Sequence, residues 1–154
     1  MKRMILPLVG LLLITAACFS NHLINEELYN NYLTRTYGYS KQKCFDATLA
    51  ALKELQIGVE KQDREKGLIT TEKAEFFRLV QVTGNQYSAT GQTFSATHKY
   101  YLQITGDNKS ATVKAIRYRL WKNAVEQPNL NASWTKENVW DPFFNLIAEK
   151  LEGS

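Results

Sequence analysis

Cysteine, histidine and proline are scarce in this chain, with two, two and three copies among 154 residues. Two cysteines cannot make the disulfide framework of a small secreted module, and one of them, Cys18, is assigned another role below. The two histidines, His22 and His98, are far apart in sequence, so neither a zinc helix nor a closely spaced pair of histidine ligands is present. The chain also lacks a Gly-x-Ser-x-Gly elbow and a Gly-x4-Gly-Lys phosphate loop. No residue set for a metal or cofactor emerges, and the chain reads as non-catalytic. Charge of one sign is in short supply as well. The formal charge is +4, and setting aside Lys2 and Arg3 leaves 17 basic against 15 acidic side chains. That balance gives no footprint for nucleic acid. No internal repeat or low-complexity segment is found, and after residue 17 no apolar stretch approaches the roughly 20 residues of a spanning helix.

What is present begins at the N-terminus. Lys2 and Arg3 form a charged start, Ile5 to Ile14 is apolar except for Pro7 and Gly10, and Thr15, Ala16 and Ala17 are small. This is the layout of a signal peptide over residues 1–17. Thr15-Ala16-Ala17-Cys18 resembles the lipobox of bacterial lipoproteins. The resemblance implies cleavage before Cys18, which then carries a diacylglyceryl thioether and an N-acyl chain such as palmitate. Each buried methylene contributes about 0.8 kcal/mol, so two or three chains suffice as a lipid anchor. Phe19 stands where an aspartate would resemble the inner-membrane retention signal, which implies the cell outer membrane, with the body facing the periplasm. The expected partners are therefore the membrane, through covalent lipid, and another envelope protein, with nucleic acid excluded.

Residues 18–39 are polar and tyrosine-rich and read as the lipidated N-terminus and a tether, with a helical tendency over Asn25 to Leu33. The domain is expected over 40–154. Ser40 is a suitable N-cap, and the glycine-free run Lys41 to Gln56 places Phe45, Thr48, Leu49, Leu52 and Leu55 at helical spacing, with Gly58 as the stop. Cys44 belongs to the apolar side of that helix and reads as a buried small hydrophobe rather than a reactive thiol. Alternation at Ile57, Val59 and Lys61, a turn over Asp63 to Gly67 and the run Leu68 to Glu72 predict a hairpin. Phe76 to Val82 predicts a strand, and Thr83 to Thr97, rich in Ser, Thr, Asn and Gln, a long connection. Tyr100 to Thr105 and Ala111 to Trp121 predict a second hairpin around Gly106-Asp107-Asn108. The stretch Asn123 to Ser133 is irregular. A closing helix follows, with Asp141 as N-cap, Pro142 first, and a stripe of Phe143, Phe144, Ile147, Ala148 and Leu151. Trp134 and Trp140 are expected at its entrance.

Short turns join antiparallel strands, so this order predicts an α+β fold: a four- or five-stranded antiparallel sheet with two helices on one face. The run Leu52, Leu55, Ile57, Gly58-Val59, Asp63, Gly67 and Leu68-Ile69-Thr70-Thr71 is similar to the helix-hairpin unit of BamC-like envelope lipoproteins, an accessory class of the outer-membrane β-barrel assembly machine. The likeness spans residues 40–72 and, more loosely, 140–151, and implies a lipidated, non-catalytic protein. It departs from the family in having one such domain instead of two, and a polar loop at 83–97.

Arg78, Lys99, Lys114, Arg117, Arg119 and Lys122, with Tyr100, Tyr101, Tyr118 and Trp121, form the main candidate binding surface, a sheet face of cations and aromatics. His98 reads as a half-exposed strand residue, and Asp63 and Glu65 as solvated turn charges. Two functions remain. One is binding or supporting assembly of an envelope protein; the other is a lipid or small-molecule carrier with a cavity between helix and sheet.

Overall fold

The computed structural model describes residues 30–85, 88–127 and 135–153, and it is α+β. The signal peptide, Cys18, His22, most of the expected helical tether and Trp134 lie outside the described residues. In chain order the elements are β1 (Thr34–Tyr37), α1 (Lys41–Glu54), β2 (Val59–Asp63), β3 (Leu68–Thr71), β4 (Ala74–Asn85), β5 (Ser88–Gly106), β6 (Ala111–Lys122), β7 (Val125–Glu126), a π-helical turn (Lys136–Trp140) and α2 (Asp141–Glu152). The strands form one antiparallel sheet of order β1-β6-β5-β3-β2, with β4 also on β5 and β7 on β6. That makes seven strands among the described residues, more than the four or five expected.

Two strands, β1 and β7, are additional, and two of the expected ones are longer than the sequence indicates. β1 lies inside the stretch assigned to the tether, and it pairs with β6 from Thr34↔Lys114 to Tyr37↔Ala111. Its Tyr37 ring is buried and donates its hydroxyl to the Phe144 carbonyl at 2.8 Å, so the sheet starts upstream of Ser40. β7 adds two residues beside Trp121 and Lys122. The expected connection at 83–97 is mostly strand and lengthens β4 and β5, which pair from Ala74↔His98 out to Asn85↔Ser88. β6 reaches only as far as Ala96, so the outer part of this hairpin is a two-stranded ribbon. The Thr and Ser residues there are tolerated in strands but carry no apolar alternation, so the stretch is indistinguishable from loop in sequence.

β3 and β4 occupy the same edge of β5, since β6 takes the other, and they act as one strand interrupted at Glu72 and Lys73. The Thr71 hydroxyl bridges the break, accepting the Tyr100 N–H at 3.0 Å and donating to the Glu72 carbonyl at 2.9 Å. The β2–β3 turn closes as expected, with Asp63 Oδ1 accepting the Lys66 N–H at 3.0 Å. Gly67 has φ +68°, and a Cβ there would collide with the Ile104 carbonyl, so the close approach of this turn to β5 requires glycine.

α1 begins as the sequence indicates. Ser40 Oγ accepts the Lys43 N–H, and the Lys41 N–H is taken by the Asp107 carbonyl of the β5–β6 turn at 2.7 Å. Its buried face is Cys44, Phe45, Ala47, Thr48, Ala51 and Leu52, while Leu55 is exposed. Gly58 is not the stop. Gln56 takes the left-handed position at φ 57°, with Gln56 N–H to Lys53 O and Ile57 N–H to Leu52 O, so the helix ends in a Schellman motif two residues earlier.

At the other end, Asp141 is not an N-cap. The π-helical turn runs directly into α2, and the Asp141 carboxylate instead binds Lys136 Nζ at 2.5 Å and Arg35 at 3.2 Å. Arg35 also donates to Asn145 at 2.9 Å, so β1 and α2 are tied by side chains. α2 buries Phe143, Phe144, Ile147 and Leu151, while Ala148 is half-buried.

Both helices cover one face of the sheet. There Ile69, Tyr100, Leu102, Ile104, Val113, Ala115, Tyr118 and Leu120 meet the helical stripes and Trp140. The alternation along β6 changes parity once. Leu102 pairs with Ala115 but Tyr101 with Arg117, which leaves Ile116 as a bulge residue, 44% exposed despite its apolar side chain.

Candidate functional site

The sheet face opposite the helices is built by register. Tyr101 pairs with Arg117 and Lys99 with Arg119, while Trp121 stands two residues beyond Arg119 on the same side. Lys99 lies 5.5 Å and the Arg117 guanidinium 5.6 Å from the Tyr101 ring centroid. Lys73 and Arg119 lie 4.1 and 4.8 Å from that of Trp121. Each ring therefore holds two cations. Two carboxylates join them: Glu60 pairs with Lys99, and Glu126 accepts Arg119 Nε at 2.7 Å and also takes its Nη2. The hydrogen bond to Lys99 holds the Glu60 carboxyl below its ordinary range, and that to Arg119 does the same for Glu126.

The structure thus brings together Lys99, Arg117, Arg119, Tyr101 and Trp121 from the expected surface. Lys114 is farther along the same face, where its Nζ donates to Asn30 Oδ1 at 2.8 Å. Lys122 is exposed at the end of β6. The Arg78 side chain lies outside the described part. Tyr100 and Tyr118 do not belong to the surface. Both are buried under the helices, because even and odd positions of β5 face opposite ways and the Ile116 bulge turns Tyr118 inward. Lys73, Glu60 and Glu126 were missed. Lys73 sits in the β3–β4 interruption and Glu60 in the bulge of β2, so no period marks them.

His98 is a correction. It is 5% exposed rather than half-exposed, facing inward between β4 and β6, with Nδ1 at 3.2 Å from the Tyr100 hydroxyl and 3.3 Å from that of Tyr118. Phe76 lies at 5.1 Å ring to ring. Burial lowers the imidazole pKa to about 4, which keeps it neutral at physiological pH. Burial raises both tyrosine hydroxyls. No serine or cysteine nucleophile is hydrogen-bonded to this histidine among the described contacts, and the cluster is core.

Cys44 is fully buried, with Sγ 3.8 Å from the Tyr39 carbonyl, and burial pushes its thiol pKa up. Among the described residues no group of three His, Cys, Asp or Glu side chains is arranged to hold a metal ion, and no helix is long and apolar enough to cross a membrane. Asp63 caps its own turn. Glu65 offers its carbonyl to Lys41 Nζ at 2.6 Å.

The space between helices and sheet is filled by rings. Trp140 lies 5.3 Å from both Tyr100 and Tyr118 and 5.7 Å from Phe144, and Phe143 is 5.4 Å from Tyr100. A cleft of about 610 Å³ lies elsewhere, open to solvent, between the start of α1 and the β2–β3 and β5–β6 turns. It is lined by Lys41, Gln42, Phe45, Arg64, Asp107 and Asn108 among others.

No family model and no curated protein sequence matches this chain. Among solved structures, the chain is similar to a DUF4468 family protein from Bacteroides ovatus, at 13% identity and a TM-score of 0.44, over 82% of this chain and 94% of that one. It is also similar to a TBP-like protein from Parabacteroides distasonis, at 16% identity and a TM-score of 0.33, over 77% of this chain and 88% of that one. Likenesses of this strength leave the site to be argued from its own residues.

Proposed function

We propose that the chain is a non-catalytic bacterial envelope lipoprotein, anchored through Cys18 and facing the periplasm from the outer membrane, that binds or supports the assembly of another envelope protein. The lipobox-like Thr15-Ala16-Ala17-Cys18 supports the anchor, and the likeness of residues 40–72 to BamC-like lipoproteins supports the assembly role. The observation that carries the binding reading over the carrier reading is the filled core. Trp140, Tyr100, Phe143 and Phe144 occupy the space between helix and sheet where a carried ligand would have to lie, and each is at most 2% exposed. The cleft beside α1 is open to solvent, with Lys41, Arg64, Glu65 and Asp107 on its walls. An envelope protein with a dry aromatic core and a charged, ring-studded outer face is built to touch other surfaces.

Two experiments test this reading. Growth with labelled fatty acid should label the native chain and leave Cys18→Ser unlabelled and shed from membranes; equal labelling of both overturns the anchor. Native mass spectrometry of the purified protein should show the covalent lipid alone, whereas a stoichiometric, non-covalently bound lipid or small molecule would favour the carrier.

A further inference from the structure

We infer that the outer sheet face is a docking surface for anionic phospholipid headgroups, so that the domain lies against the bilayer to which its N-terminus leads. The inference rests on the Cys18 anchor for its geometry. Register puts Lys61, Lys99, Lys114, Arg117 and Arg119 on this face, and Lys73 reaches it over Trp121. Against these six cations stand Glu60, Asp63, Glu75 and Glu126, which leaves an excess of two positive charges. Lys73 and Arg117 sit over the rings, and both also help to hold the Glu126 carboxyl low from a distance, so Glu126 offsets part of their charge. The rings hold the cationic heads in place side by side, which reduces the side-chain ordering an anion would otherwise have to impose. The same arrangement disfavours a sugar, since the rings that would stack on it already carry cations.

Where the chain enters the domain identifies the anion. Asn30, the first described residue, accepts a hydrogen bond from Lys114 of this same face and so lies on the outer side of the sheet. Eleven residues, Phe19 to Tyr29, separate the acylated position from Asn30. Fully extended they span about 40 Å, and as a flexible coil about 20 Å. A domain on so short a lead meets the membrane surface continually, and the face nearest the lead is the one that meets it. Tyr and Trp are side chains suited to the headgroup level, and lysine or arginine beside them reaches phosphate.

The test uses the native acylated chain in vesicles of phosphatidylcholine alone or with about 30% phosphatidylglycerol, each containing a headgroup spin-labelled lipid. The readout is quenching of Trp121 emission, taken as the difference between the native chain and Trp121→Phe, which removes the contributions of Trp134 and Trp140. Quenching should be at least twofold greater on the anionic vesicles and should disappear in 0.5 M NaCl and in Lys73→Glu/Arg117→Glu. Equal quenching on both vesicles, or none on either, overturns the docking face. The salt response of the unmutated chain decides the matter even where the double variant fails to fold. The intact mass at Cys18 reports acylation separately, so failure of the anchor is distinguishable from failure of the face.

Discussion

His98 shows how one buried side chain sets the acid stability of the molecule. In the unfolded chain an imidazole takes up its proton near pH 6.5, whereas in the folded protein burial delays protonation to about pH 4. Between those values the unfolded state binds more protons, so stability falls as pH drops from 6.5 and stops falling on this account below about 4. The span corresponds to about 3 kcal/mol, a large share of a small domain's margin. Urea unfolding at pH 7 and pH 4.5 should therefore show a loss of about 2 to 3 kcal/mol in the native chain. In His98→Phe the loss should be much smaller. Equal losses in both would place the acid sensitivity elsewhere, with Glu60 and Glu126 as the next candidates, because their folded carboxyls also resist protonation.

At the scale of elements, legibility followed burial. α1 could be read because Ser40 caps it and its apolar residues return every three or four positions, and β5 and β6 could be read near Leu102 and Val113 because one face is dry. The elements that were lost lack that imprint. The stretch 83–97 is mostly Thr, Ser, Gly, Asn and Gln and carries no apolar alternation, and β1 is four residues of which Tyr37 alone is buried. The inward turn of Tyr118 depends on the one-residue bulge at Ile116, which alternation counted through β6 cannot register. The end of α1 was misplaced for a related reason: Gly58 is the residue that looks like a stop, yet Gln56 occupies the left-handed position. A Cβ at that position costs about 1 kcal/mol relative to glycine. Gln56→Gly should therefore stabilise the protein by about 0.5 to 1 kcal/mol in chemical denaturation, less than the full relief because glycine also frees the unfolded chain. A destabilised variant would mean that the Gln56 side chain makes a contribution its backbone geometry does not reveal.

For the whole molecule the decisive element is α2. It closes the helical layer, with Phe143 and Phe144 among the rings around Trp140 and Ile147 and Leu151 fully buried. It also collects contacts from the first half of the chain: Tyr37 and Arg35 of β1 bind the Phe144 carbonyl, Asn145 and Asp141, and Lys150 pairs with Glu54 of α1. Removing residues 141–154 would uncover the inner faces of β5 and β6 and leave β1 held by its pairing with β6 without its side-chain ties to the helix. Truncating a single buried phenylalanine typically costs about 3 to 5 kcal/mol, while a domain of this size holds about 5 to 15 kcal/mol in all. Loss of two phenylalanines and two aliphatics together exceeds that margin, even when the unfolded chain is credited with some burial of its own. The truncated chain should therefore show no cooperative thermal transition by circular dichroism and should expose apolar surface to a dye such as ANS. A sharp transition near that of the full chain would make α2 a detachable arm, and the search for a protein partner would then turn to the groove that the helix had left.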